Sequence, residues 1–229
     1  MTRQIVFDTE TTGLNPNTGD RLVEIGCVEI VDLLPTGQTF HAYVNPERDV
    51  PPEVVRVHGL TAEFLRDKPV FFHPSVGQAL VDFVGDAPLV AHNAAFDRGF
   101  INMELARAGF AIWPDDRWID TVPIAQKRFP GQSNSLDALC KRFGISLDSR
   151  DKHGALIDAH LLAQVYLELN GGRERKLSFD APSSITVEVE EIVVRLGTRP
   201  EPLPSRLTDA ERAAHTAFVS ELGAPSKWS

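Results

Sequence analysis

Two kinds of hydrophobic spacing divide the chain. Over the first fifty or so residues the apolar positions come in short β-branched runs. Residues 4–8, 21–30 and 36–44 read as three strands of an antiparallel meander, with Pro35-Thr36-Gly37 breaking between the second and third. Thr12-Gly13-Leu14-Asn15-Pro16 turns the chain after the first strand, and Pro51-Pro52 opens a short helix that ends near His58-Gly59. Helical spacing then takes over. Residues 75–84, 94–108, 136–143 and 154–170 read as helices, with short buried strands at 88–91 and 118–119. Asp97, Ile101, Leu105 and Ala108 share one helix face, so Asp97 sits at the head of an apolar stripe. Asp120-Thr121 caps the helix that follows, Asn134 or Ser135 caps the next, Gly144 ends it, and Gly171-Gly172 stops the last. Strands first, then strand and helix in alternation, predict an α/β domain: a mixed sheet covered by helices.

The pattern fails after Gly172. Residues 173–180 are charged around Leu177-Ser178-Phe179, residues 185–196 are strand-like but carry Glu188, Glu190 and Glu191, and Pro200, Pro202 and Pro204 keep the chain extended. Residues 207–222 form a helix candidate with Thr208 as cap and Glu211 three residues later. Too few large apolar residues remain for a second core, so a segment that orders on a partner is expected. The predicted layout is a domain over 1–172, a linker over 173–206 and a docking tail over 207–229.

Composition narrows the class. Of the residues, 42% are hydrophobic and 24% charged, and no apolar run approaches the about 18 to 20 residues of a membrane span. The opening residues lead directly into a strand without a signal-peptide pattern, and Cys27 and Cys140 stand singly in apolar surroundings. A cytoplasmic protein with two buried thiols is expected. The net charge of -9 argues against broad clamping of duplex DNA, which needs a basic footprint. It leaves room for an enzyme that grips a few nucleotides at a strand end, and for a partner that supplies the duplex binding.

The candidate chemistry lies in acids placed within apolar stretches. Asp8 and Glu10 follow Ile5-Val6-Phe7; two apart on an extended strand, they face the same way and can chelate a cation. The alternative is a solvated strand end. Asp-x-x-Thr-Thr-Gly is also similar to a sugar-kinase phosphate loop, but Glu10 occupies the position where that loop needs glycine. Asp97 follows His92-Asn93-Ala94-Ala95-Phe96; as a helix N-terminal acid it has an electrostatic reason to be there as well. His92 reads as a core histidine or a substrate contact, and His58 as a helix cap or a contact to base or phosphate. His153 and Asp158 would diverge by about 140° in one continuous helix. Gly154 therefore places His153 in the preceding loop, able to swing over a cation held by Asp158. Converging carboxylates suit hard cations, magnesium or manganese.

Taken together, Phe7-Asp8-Thr9-Glu10-Thr11-Thr12-Gly13, His58-Gly59-Leu60-Thr61, His92-Asn93-Ala94-Ala95-Phe96-Asp97 and His153-Gly154-Ala155-Leu156-Ile157-Asp158-Ala159 closely resemble the DEDDh 3′–5′ exonucleases of the DnaQ-like group, in the family's order. The resemblance implies a ribonuclease H-like five-stranded sheet with two divalent cations. It carries metal-ligand roles to Asp8, Glu10, Asp97 and Asp158, the general-base role to His153, and contacts with the terminal nucleotides to Thr11, His58, His92, Asn93 and Phe96. Phe129-Pro130-Gly131, the stretch Asn134 to Cys140 and Val165-Tyr166-Leu167 are similar to the proofreading epsilon subunits of bacterial DNA polymerase III. That likeness implies as partners a single-stranded DNA 3′ end, the polymerase catalytic subunit and a small accessory subunit. The tail adds a resemblance to a sliding-clamp peptide through Leu177 and Phe179, with Glu174 where glutamine is usual and weaker clamp binding in consequence. Ala213-Ala214-His215 and Trp228 resemble a polymerase-docking end, and Phe218 and Leu222 share its helix face. The alternatives are a stand-alone exoribonuclease of the same fold and a non-catalytic tether between polymerase and clamp.

Overall fold

A computed structural model describes residues 2–147, 153–172 and 207–221. The chain divides into two units, Met1–Leu177 and Ser178–Ser229. In the first, β1 (Arg3–Thr11), β2 (Leu22–Val31) and β3 (Leu34–Tyr43) form the antiparallel meander, and β4 (Leu89–Ala91) and β5 (Trp118–Asp120) add in parallel beyond β1. The sheet order is β3-β2-β1-β4-β5, the mixed sheet that the spacing predicts. β1 runs past the expected end at Asp8, so both Asp8 and Glu10 lie within it. Its register with β2 shifts between Glu10 and Thr11, a bulge of the kind that re-aims side chains.

One turn differs from expectation. Pro35-Thr36-Gly37 does not break the meander but lies inside β3. Val31 pairs with Leu34, leaving only Asp32 and Leu33 to turn the chain. Both have positive φ, 50° and 72°, the primed geometry whose twist matches the flanking strands. Pro35 is tolerated because β3 is an edge strand.

The helices are α1 (Pro52–His58), α2 (Ala62–Arg66), α3 (Gly77–Val84), α4 (Ala94–Arg107), α5 (Thr121–Arg128), α6 (Leu136–Phe143) and α7 (Ala155–Leu169). Asp120 caps α5 by accepting from the Val122 N–H, and Ser135, not Asn134, caps α6 by accepting from Ala138. The five-residue α2, capped by Thr61, is too short to leave a periodic signal. On one face of the sheet Ile5, Phe7, Ile25 and Cys27 pack against Leu80 and Val84 of α3 and Phe100, Ile101 and Leu105 of α4. On the other face Val6, Val28, Ile30 and Val90 lie under Ala159, Leu162 and Tyr166 of α7. The outer side of α7, through Leu161, Val165 and Leu169, is covered in turn by Ala125, Leu139 and Cys140. A helix apolar nearly all round is thus buried on both sides. Cys27 and Cys140 are buried thiols in separate cores. Arg21 holds the start of β2 to α4 through both Nε and Nη2 on the Glu104 carboxylate, which is 2% exposed.

In the second unit, α8 (Asp209–Glu221) begins with the expected reciprocal cap. The Glu211 N–H donates to Thr208 Oγ1 at 3.3 Å and the Thr208 N–H to Glu211 Oε2 at 2.8 Å. No described residue of this helix is buried, and Phe218 is 60% exposed. Glu174, Leu177, Phe179, Leu222 and Trp228 lie outside the described residues. Among the described residues no helix is long and apolar enough to cross a membrane.

Gly26 governs how closely α7 approaches the sheet. A Cβ there would stand 2.2 Å from the Ala155 carbonyl carbon and 2.3 Å from the Leu156 nitrogen, backbone atoms that move only with the helix. Gly26→Ala is therefore expected to lower stability by about 1–3 kcal/mol, read as a fall of several degrees in the thermal midpoint. An unchanged midpoint would show that α7 is not seated against this strand.

Candidate active site

The acids reach the C-terminal half of the central strand β1 by different routes. Asp8 and Glu10 share the face of β1 that carries Val6, toward α7. The first turn of α7 brings Asp158, 3% exposed, over that face, with Gly154 as its N-cap and His153 just ahead in the loop. The His153 N–H donates to the Val57 carbonyl at 3.3 Å, so the end of α1 fixes this loop. His153 Nδ1 lies 3.2 Å from Asp158 Oδ2. Ligand atoms of Glu10, His153 and Asp158 all fall within 4.8 Å of one another. Two carboxylates at that spacing could hold a divalent cation with the imidazole beside it, and their oxygen donors favour a hard one.

Asp97 comes from the opposite side. Thr9 points away from Asp8 and Glu10, and its hydroxyl donates to Asp97 Oδ1 at 2.7 Å. Asp97 and Asp8 stand outside the 4.8 Å trio, but both act on Cys27, whose thiol is pushed up by burial and then by these two charges. Burial pushes the Asp97 carboxyl up to about 7 from an ordinary 3.8, against the opposing Thr9 hydrogen bond. A carboxylate kept in such a place without a neutralising charge is costly.

Several of the expected substrate contacts are engaged within the protein. The Thr11 hydroxyl donates to the Gly13 carbonyl at 2.5 Å. His58 is buried, and its Nδ1 accepts from the Leu60 N–H at 3.0 Å, closing the turn after α1. His92 Nδ1 lies 2.8 Å from Thr121 Oγ1. Burial lowers the pKa of His92, while a bond to the Asn134 backbone and the charge of Asp120 oppose that shift. Asn93 is exposed in a left-handed conformation, φ 70°, and its N–H donates to Asp120 Oδ1 at 3.1 Å. Phe96 is half-buried, its ring 5.0 Å from Phe100. Thr9, Gly26 and Thr121 are supporting residues that the sequence reading gave no role at the site. Glu24 is a third buried polar residue here beside Thr9 and Thr121, and it bore the same mark as Asp8, an acid inside an apolar β-branched run.

The raised Asp97 value has a testable sign. A carboxyl whose folded value, about 7, exceeds its ordinary 3.8 stabilises the fold fully below the lower value, and that contribution is lost as pH rises through the higher. In chelator, Asp97→Asn should therefore gain in melting temperature relative to the wild type between pH 4 and pH 8, because asparagine can still accept from Thr9. A difference independent of pH would show that Asp97 titrates normally.

The site has counterparts in known proteins. A family model described as Exonuclease (RNase_T) matches residues 5–166. The chain is 42% identical over 223 residues to the DNA polymerase III subunit epsilon of Rickettsia felis, covering 96% of each chain. It is 40% identical over 243 residues to the subunit of the same name from Escherichia coli (strain K12), covering 100% of this chain and 98% of that one. Its fold matches exonuclease X, solved in complex with 5′ overhanging duplex DNA, with a TM-score of 0.57 and 27% identity, over 74% of this chain and 90% of that one. A mixed sheet with acids on its central strand, the family match and these near full-length relatives lead to one assignment: the chain belongs to the exonuclease family, among relatives that are DNA polymerase III epsilon subunits.

Proposed function

We propose that this protein is the 3′–5′ proofreading exonuclease of a DNA polymerase III, removing the terminal nucleotide of a single-stranded DNA 3′ end. The observation that carries the reading is the meeting of Glu10, from the first strand, with His153 and Asp158, from the last helix of the domain, within 4.8 Å. Near full-length likeness to epsilon subunits supports DNA as substrate and the polymerase catalytic subunit as partner. A cytoplasmic location accords with that role.

Asp8, Glu10 and Asp158, with Asp97 behind them, would hold two divalent cations, Mg2+ or Mn2+. When bound, such ions acidify a water and neutralise charge on the leaving 3′ oxygen. His153 has Nδ1 turned to Asp158 Oδ2, so Nε2 is the atom that accepts the proton of the attacking water. Asp158 orients the ring and stabilises the imidazolium. The water oxygen bonds to phosphorus as the bond from phosphorus to the 3′ oxygen breaks, and a nucleoside 5′-monophosphate leaves. Thr11, Asn93 and Phe96 would contact the terminal nucleotides, and His58 and His92, bonded to the Leu60 N–H and to Thr121, would steady the loops that carry such contacts.

The domain over 1–172 is the catalytic part in this reading, and residues 173–206 link it to a tail over 207–229. Leu177 and Phe179 would supply a weak clamp contact, with Glu174 in place of glutamine. Phe218, Leu222 and Trp228 would dock on the polymerase, beside a small accessory subunit bound elsewhere. The exposed ring of Phe218, on a helix with no buried residue of its own, supports that role.

His153→Ala should lower turnover on single-stranded DNA by about 10² to 10⁴ and leave Mn2+ affinity largely intact by calorimetry, whereas Asp8→Ala should lose both. A collapse of metal affinity in H153A to the level of D8A would make His153 a ligand and remove the base assignment. Deleting residues 180–229 should spare hydrolysis of short single strands and abolish binding to the polymerase catalytic subunit in a titration. F218A in the full chain should weaken that complex by about 1 kcal/mol or more. Undiminished binding by the truncated protein would place the interface on the nuclease domain.

A further inference from the structure

Glu24 is a buried acid that this mechanism does not use. It lies on β2 between Val23 and Ile25 and is 4% exposed. In the sheet register it pairs directly with Glu10 on one side and with Tyr43 on the other. Directly opposed residues of antiparallel strands point to the same face, with Cβ atoms about 4.5–5.5 Å apart. Glu24 therefore stands beside Glu10 on the α7 side of the sheet. His41, opposite Gly26 on β3, reaches diagonally to it, with Nε2 2.7 Å from Glu24 Oε1. The Tyr43 ring meets the His41 ring edge-on at 4.8 Å, and Phe64 packs edge-on against Tyr43 at 5.0 Å. The imidazole is thereby held in place. A core that needed only volume at position 24 would take a leucine or valine there. A buried carboxylate with a dedicated, packed partner, next to a second carboxylate, calls for a reason beyond packing.

We infer that Glu24, held by His41, is a positioning residue for Glu10. This rests on the reading of Glu10 as a cation ligand. The Glu24 charge repels the Glu10 carboxylate from the β2 side and turns it toward Asp158 and His153. It also adds a fixed negative charge behind the site, strengthening the pull on a cation without occupying its coordination sphere. The bond to His41 fixes the Glu24 carboxylate at the place where its charge bears on Glu10. The arrangement strains the metal-free protein and is relieved when a cation binds.

The test is Mn2+ calorimetry and thermal melting on the full-length protein, with Asp8→Ala as reference. Glu24→Gln keeps the shape and can still accept from His41, but removes the charge. It should weaken Mn2+ binding about tenfold, the scale of one unit charge lost at this range in a partly screened setting. The metal concentration for half-maximal hydrolysis should rise by the same factor, and the metal-free melting temperature should hold or rise. His41→Ala should also weaken Mn2+ binding, and His41→Gln, which retains a donor, should restore much of the loss. E24Q that binds Mn2+ as the wild type does, or that lowers only the metal-free melting temperature, would make the pair purely structural and overturn the inference. A wild type that binds no better than D8A would overturn the cation reading itself, and the inference with it.

Discussion

Glu10 and Asp158 meet beside the apolar core, and the fold holds them there by contacts made elsewhere. The largest share comes from α7. Its inner side lies on Val6, Val28 and Val90, and its outer side is sealed by Leu139 and Cys140, so the helix leaves the sheet only by exposing apolar surface on two sides at once. Gly26 sets how close it comes, because the backbone of Ala155 occupies the space a side chain would fill. Asp158 is carried to Glu10 as a passenger on that contact. The polar site is thus positioned by apolar packing.

The second constraint is that the acids do not all come from one layer. Asp8 and Glu10 look toward α7, while Asp97 is fixed to Thr9 on the α4 side. Side-chain alternation along β1 serves both layers, because consecutive residues face opposite ways. Arg21 and Glu104 join the start of β2 to α4, so the Asp97 side is tied to the meander by a partly buried ion pair as well as by packing.

Much of this was legible in the residues alone. Acids inside apolar runs marked Asp8, Glu10, Asp97 and Asp158, because an unpaired carboxylate in such company needs a reason. Gly154 separated His153 from the helix that bears Asp158. The long helices and their caps followed from spacing and from Ser135, Asp120 and Gly144. What escaped did so for physical causes. Asp32-Leu33 is an unusual pair for a primed turn, and the neighbouring Pro35-Thr36-Gly37 carried the stronger local signal. The close approach at Gly26 is a tertiary fact that no local pattern records. Glu24 was visible by the same criterion as Asp8, but only strand register places it beside Glu10 and His41.

The order of elements along the chain has a consequence for synthesis. Glu10 belongs to the first strand, and its neighbours at the site, His153 and Asp158, come only with the last helix of the domain. A chain emerging from its N-terminus can close the meander and pack α3 and α4 early. It cannot assemble the trio until α7 has been made and has docked. Pairings of such long sequence separation form late, after the loop between them has been closed. Every partly made or partly folded form therefore lacks the trio, and competence to cut a nucleic-acid strand would arrive only with the finished domain.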